Sequence, residues 1–294
     1  MKHKSRKRTR KYSRRQKKYK RNYKGGQQKS KELVLKNNEH EQCGFFATFN
    51  KLMTYLVDNP DITKITYNIH SFKVGHAMAY IKEGEELFSK LFEPYNEGKP
   101  IDEVIDGSYY QHYNLTTVFA HQFYNENRGK LQPYHDAYMK YIKIKPEIQN
   151  MINNKKQILR ENYEQVIGIF IRSEALKKEQ PSGRMPTREE YDNAINSIDK
   201  TKSTKYFFCI DNEDDLNYFK NKYTPNYYTD IRRTKNTTNS EPHKKTFGSL
   251  KDLQDSFIEV ALLSECNILI HCVSNMVTAS LYMNMNQKSI CLPN

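Results

Sequence analysis

The chain has 294 residues, 28% of them charged and 37% apolar, with a formal charge of +14. That length excludes a disulfide-stapled miniprotein, and the sequence holds no apolar run of the length a membrane-crossing helix needs. The charge is confined to one end: residues 1–31 hold 16 of the 48 Lys and Arg and no acid, so the remainder, with its 34 acids, is near neutral and the excess describes a tail rather than a basic fold.

That tail, KHKSRKRTRKYSRRQKKYKRNYKGG, has almost nothing aliphatic to bury and is expected to be disordered and self-repelling. Its charge suits RNA, DNA, an anionic membrane surface or an importin-like receptor, with affinity that falls as salt rises. The opening residues are charged with no apolar stretch behind them, which predicts no secretory signal and a cytosolic or nuclear address. With that address, the five cysteines (Cys43, Cys209, Cys266, Cys272, Cys291) are expected to be reduced, and those in apolar runs act as small hydrophobes.

From Glu32 the periodicity changes. A short strand, ELVLK, leads to QCGFFATFNKLMTYLV, where Gly44 precedes a helix with apolar residues at Phe46, Phe49, Leu52, Met53 and Leu56. A second strand, ITKITYNI, follows the turn at Asn59 and Pro60, and helices are expected over 83–92, 116–127 and 131–159. From Val166 strands and helices alternate. VIGIFI, KYFFCI and NILIHCV read as buried strands, NYYTDI and KSICLP as shorter ones. PTREEYDNAINSI, NEDDLNYFKNKY, LKDLQDSFIEVALLS and MVTASLYMNM read as helices. This order predicts an α/β fold with a parallel sheet and helices on both faces, in which ligands lie at the carboxyl ends of the strands.

Those ends carry the candidate residues. Arg172 follows VIGIFI, where a guanidinium can meet a diphosphate bidentately, and Glu174 stands two residues on, placed to orient it or to act as a base. The plainer reading of the two is a surface ion pair. Asp211 closes KYFFCI and either caps the next helix or accepts hydrogen bonds from a ribose or base. The string DNEDD reads as that cap in preference to a metal-binding DxD. Ser274 and Asn275 open a helix after NILIHCV, an arrangement that serves as a simple N-cap or as an anion site. Glu259 lies in an amphipathic helix and reads either as a solvated residue or as a site carboxylate. His40 with Cys43 lacks further metal ligands, and His271 reads as a satisfied core histidine. No Walker A, GxGxxG, HExxH or GxSxG occurs.

The order IGIFIRSE, KYFFCIDNEDDLNYFKNKY, DSFIEVALLSECNILIHCVSN resembles three consecutive motifs of the fucosyltransferase superfamily, which holds the α1,6-fucosyltransferases and the protein O-fucosyltransferases. The resemblance covers roughly residues 32–294. QCGFFATFNKLMTYL is similar to the family's N-terminal glycine turn and helix, and implies donor contacts at Gly44 and Asn50. The resemblance implies a GT-B fold of two Rossmann-like domains facing a cleft, here residues 32–159 on the acceptor side and 160–294 on the nucleotide-sugar side. It further implies an inverting, metal-independent glycosyltransferase that takes fucose from GDP-fucose to a glycan or protein hydroxyl. By it, Arg172 binds the donor's β-phosphate, Asp211 and Glu259 contact the nucleotide, and Ser274 with Asn275 holds the diphosphate. Phe170 stands where the family often has His, and Ser173 and Glu174 depart from its usual spacing. The rival expectation is therefore an inactive nucleotide-sugar fold that serves as a binding module, tethered to nucleic acid or an anionic surface by the tail.

Overall fold

The computed structural model describes residues 29–36, 44–72, 79–107, 128–172, 180, 182–199, 201–231, 233 and 249–292. Most of the basic tail, the helix expected over 116–127, Glu174 and Cys43 lie outside these residues. The last residues assigned to the tail do not behave as one. Ser30 N donates to Asp102 Oδ2 at 2.8 Å, and Lys31 opens β1 (Lys31–Lys36) with an ion pair to Asp61 at 2.9 Å.

The first unit is a β-α-β fold. β1 leads into α1 (Phe45–Asp58), whose spacing of apolar residues buries Phe45, Phe49, Leu52, Met53 and Leu56. The chain then returns as β2 (Ile62–Asn68), parallel to β1. β4 (Glu103–Asp106), following the two-residue β3 (Phe92–Glu93), joins the other side of β1 to give a parallel sheet of order β2-β1-β4. Periodicity missed β4 because this edge strand is short, mostly exposed and acidic, and so carries no apolar alternation.

Two expected helices differ. In place of a helix over 83–92 there is a bend at Gly84 (φ +84°), a single 3-10 turn at Phe88–Lys90 and then β3. Leu87, Phe88, Leu91 and Phe92 are all buried, which explains the helical spacing. Glu86 instead pins the backbone as a turn, accepting from Ile69 N at 3.3 Å, Phe88 N at 2.9 Å and Ser89 N at 2.6 Å. The long helix expected over 131–159 is two: α2 (Gln132–Tyr141) and α3 (Pro146–Arg160). Pro146 holds Lys145 extended, and the break lets β5 (Lys143–Ile144) pair antiparallel with β3.

The second unit is a five-stranded parallel sheet of order β10-β9-β6-β7-β8. β6 (Gln165–Ile171) lies at its centre, β7 (Thr204–Ile210) and β8 (Asn226–Tyr228) on one side, and β9 (Ile268–His271) and β10 (Lys288–Cys291) on the other. Alternate residues feed two faces. Ile167, Ile169, Phe208 and Ile210 pack against α4 (Arg188–Asn196) and α5 (Glu213–Lys222), whereas Val166, Phe170, Phe207 and Leu269 face α3 and α6 (Leu250–Ser264). Gly168 permits a close approach: a Cβ there would stand 2.9 Å from Cys266 Sγ. α7 (Asn275–Met283) joins the last two strands. α4 begins two residues after Pro186, at a capping box of Thr187 and Glu190.

α3 packs on α6 and against β6 and β7. The two sheets share one core. Phe257 of α6 meets Phe49 and Phe92 edge-on, and Tyr282 of α7 lies against Phe49 and Tyr134. Cys209, Cys266, Cys272 and Cys291 are buried. His271 is a satisfied core residue, bonded to Cys272 O at 2.9 Å and Ser289 Oγ at 2.7 Å. Among the described residues no helix is long and apolar enough to cross a membrane.

Candidate functional site

The carboxyl ends of β9, β6 and β7 lie side by side, so Ser274, Arg172 and Asp211 line up along the top of the sheet. Asp211 N donates to Ile171 O at 3.3 Å, which carries the pairing of β6 and β7 one residue beyond the strands. Arg172 and Asp211 are brought together: Nε and Oδ2 are 3.6 Å apart, an ion pair looser than a hydrogen bond. The far side of the guanidinium meets Met276, with NH1 3.7 Å from Sδ, a weak acceptor. Arg172 Nε is buried with no hydrogen-bond partner. A cation thus stands at the central strand end, near one carboxylate and short of strong acceptors among the described residues. Burial pushes the nearby Cys272 thiol up to about 11, with Arg172 drawing it the other way.

Ser274 is the N-cap of α7, its Oγ accepting from Met276 N at 3.2 Å. The loop that carries it is held by Gln180, whose side-chain amide accepts from Val273 N at 3.0 Å and donates to Val273 O at 2.9 Å. Nothing in the sequence singled out Gln180, because its role depends on a partner 93 residues away. In the DNEDD string Asn212 is the cap, its Oδ1 accepting from Asp214 N at 2.9 Å and Asp215 N at 3.1 Å, and Asp215 pairs with Arg188 at 2.7 Å.

Glu259 is not a solvated helix residue. It is 3% exposed and points under the end of β7, where the Thr229 hydroxyl donates to Oε1 and the Cys209 thiol to Oε2, the latter at 3.1 Å. Burial raises its pKa, and Arg233, with NH2 3.6 Å from Oε1, opposes that rise. Arg233 also escaped sequence reading. It belongs to a polar stretch after a short strand, where an arginine is ordinarily solvated.

Asn50 and Asn275 meet each other. Asn50 Nδ2 donates to Asn275 O and Oδ1, both at 3.0 Å, and its Oδ1 accepts from Tyr282 OH at 2.9 Å. The amide expected at the donor thus clasps α1 to α7. Gly44 contributes backbone, its carbonyl accepting from Ala47 N at 3.0 Å and Thr48 N at 3.3 Å at the head of α1; its φ of −75° is open to any residue, and a Cβ there would have free space. Tyr80 reaches the same region from the first unit. Burial pushes its hydroxyl up to about 12, and Arg172 and Asp252 act on it from within electrostatic range.

Two parallel α/β units over a shared core, with an arginine at the central strand end of the second, have the architecture of the GT-B fold. Among solved structures this fold matches the NodZ α1,6-fucosyltransferase soaked with GDP-fucose, with a TM-score of 0.52 and 12% identity over 88% of this chain and 93% of that one. It also matches fucosyltransferase NodZ from Bradyrhizobium, at 0.51 and 12% over 88% and 94%. The NodZ enzyme co-crystallized with GDP gives 0.50 and 12% over 88% and 92%. No protein-family model matches the chain, and no curated protein does either.

Proposed function

We propose that the protein is an inverting glycosyltransferase that takes fucose from GDP-fucose to a hydroxyl of a glycan or protein, in a cytosolic or nuclear setting. The observation that carries this is Arg172. A guanidinium at the end of the central strand, beside a helix N-terminus and loosely paired to Asp211, suits the charge that grows on a departing diphosphate. The acceptor oxygen attacks the anomeric carbon as the bond from that carbon to the β-phosphate oxygen breaks. GDP leaves with the electron pair, and the acceptor's proton passes to a carboxylate, for which Glu174 is the first candidate. Asp211 receives hydrogen bonds from the nucleoside, and Ser274 with the first amides of α7 holds phosphate oxygens. Asn275 shapes that end of α7 through Asn50.

The test is thermal stabilisation of the full chain by GDP, GDP-fucose and UDP-sugars, with and without EDTA, followed by assay of fucose release from GDP-fucose. A ligand that binds only the native state raises its melting temperature. Stabilisation by GDP and GDP-fucose that ignores EDTA, with turnover, is the expected result. Stabilisation by UDP-sugars alone changes the donor. No stabilisation by any nucleotide refutes a donor site.

A further inference from the structure

We propose that Arg233 is a positioning residue for the nucleotide end of the donor site, acting by fixing the strand end that carries Asp211. The proposal rests on the donor-site reading above and goes beyond it in assigning a role to a residue outside the strand-end group. The Arg233 side chain is 8% exposed. Its Nε donates to Ile210 O at 2.9 Å, and NH1 donates to Thr229 O and Ile231 O, both at 2.9 Å. One guanidinium therefore ties the last residue of β7 to the segment that follows β8. Ile210 is the residue before Asp211.

Glu259 completes the hold from below. It accepts the Cys209 thiol, so the two residues preceding Asp211 are held in turn, Cys209 through its side chain and Ile210 through its carbonyl. The Thr229 hydroxyl donates to the same carboxylate, which fixes the other segment that Arg233 grips. A buried pair of this kind is a poor way to gain stability, because taking both ions out of water offsets most of their attraction. Apolar side chains would fill the space as well. What the fork supplies is direction: three hydrogen bonds from one guanidinium set where β7 ends, and with it the distance from Asp211 to Arg172.

The experiment compares the full-length wild type with Arg233→Met, Arg233→Lys, Glu259→Gln and the Arg233→Met/Glu259→Gln double variant. Each is measured for unliganded melting temperature and for GDP affinity by calorimetry. The double variant leaves no orphaned buried charge and is expected to fold, melting several degrees below the wild type because the carbonyls of Ile210, Thr229 and Ile231 lose their donor. Its GDP affinity, and that of Arg233→Met alone, is expected to fall about tenfold or more, and Arg233→Lys, which keeps the charge and can still reach Ile210 O, recovers part of the loss.

A double variant that binds GDP as the wild type does overturns the proposal. So does a loss wholly reproduced by Glu259→Gln alone, or a loss seen only in variants that no longer fold. A wild type that binds no GDP overturns the donor-site reading and this proposal with it, whereas failure of the variants to lose affinity while the wild type binds overturns this proposal alone.

Discussion

Asn50 and Asn275, 225 positions apart in the chain, are joined twice: the Asn50 amide nitrogen donates to both the carbonyl and the side-chain oxygen of Asn275, each at 3.0 Å. Tyr282 OH closes the group on Asn50 Oδ1 at 2.9 Å. Asn50 is 1% exposed and Tyr282 fully buried, so water is poorly placed to replace a missing partner. Asn50→Ala is expected to cost about 1–3 kcal/mol, since it strands buried polar groups as well as opening space. Urea denaturation measures it, and a loss below about 0.5 kcal/mol, the range of ordinary surface changes, refutes the clasp.

Arg172→Ala tests the strand-end cation. The variant is expected to fold, because among the described residues the Arg172 guanidinium is held by a loose ion pair and a weak contact to sulfur. It should lose the stabilisation by GDP expected of the wild type. A folded Arg172→Ala protein with full GDP response and full turnover would remove Arg172 from the mechanism.

Gly168→Ala probes the crowding beneath β6. The new methyl would lie 2.9 Å from Cys266 Sγ and 3.2 Å from both Cys266 Cβ and Leu269 Cδ1, so the layer must shift. A cost of about 1–3 kcal/mol is expected, as for other overpacked cores. Adding Cys266→Ala should return part of it, and thermal melts of the single and double variants decide the matter. Equal stability of Gly168→Ala and wild type would show that the contact relaxes freely.

Asp192 gives a dependence on pH. Burial pushes this carboxyl up, but hydrogen bonds from Lys222 at 2.5 Å and from Tyr218 and Tyr223, both at 2.6 Å, outweigh it and hold its pKa below the ordinary value. A depressed carboxylate binds fewer protons in the folded state than in the unfolded one. Its stabilisation is therefore present above the unfolded pKa of about 3.9 and is lost as pH falls through the folded value. Asp192→Asn should melt below the wild type at pH 6, and the gap should narrow as pH is lowered from about 4. A gap of constant size would exclude the ionised form as its source.

The second sheet was legible in the sequence because its strands are continuous apolar runs and its helices alternate with them. This same order put Arg172, Asp211 and Ser274 at the strand ends before any coordinates. The first unit was harder to read. β4 is short and acidic, and the residues around Phe88 have helical spacing while Glu86 holds the backbone in a turn. The roles of Arg233 and Gln180 and the contacts of Asn50 to Asn275 and Tyr282 could not be read at all. Each acquires its role from a residue distant in the chain, and periodicity reports only what lies within a few turns.

Phe257 wedged edge-on against Phe49 and Phe92, with Tyr282 beside them, bears on how a ligand enters and leaves. Parting the two sheets as if about a hinge would expose those rings to water, at a cost of several kcal/mol for side chains of this size. That cost disfavours opening between the sheets. For the donor site proposed above, exchange would then proceed by local rearrangement, and binding free energy would not be drawn off into bringing the halves together.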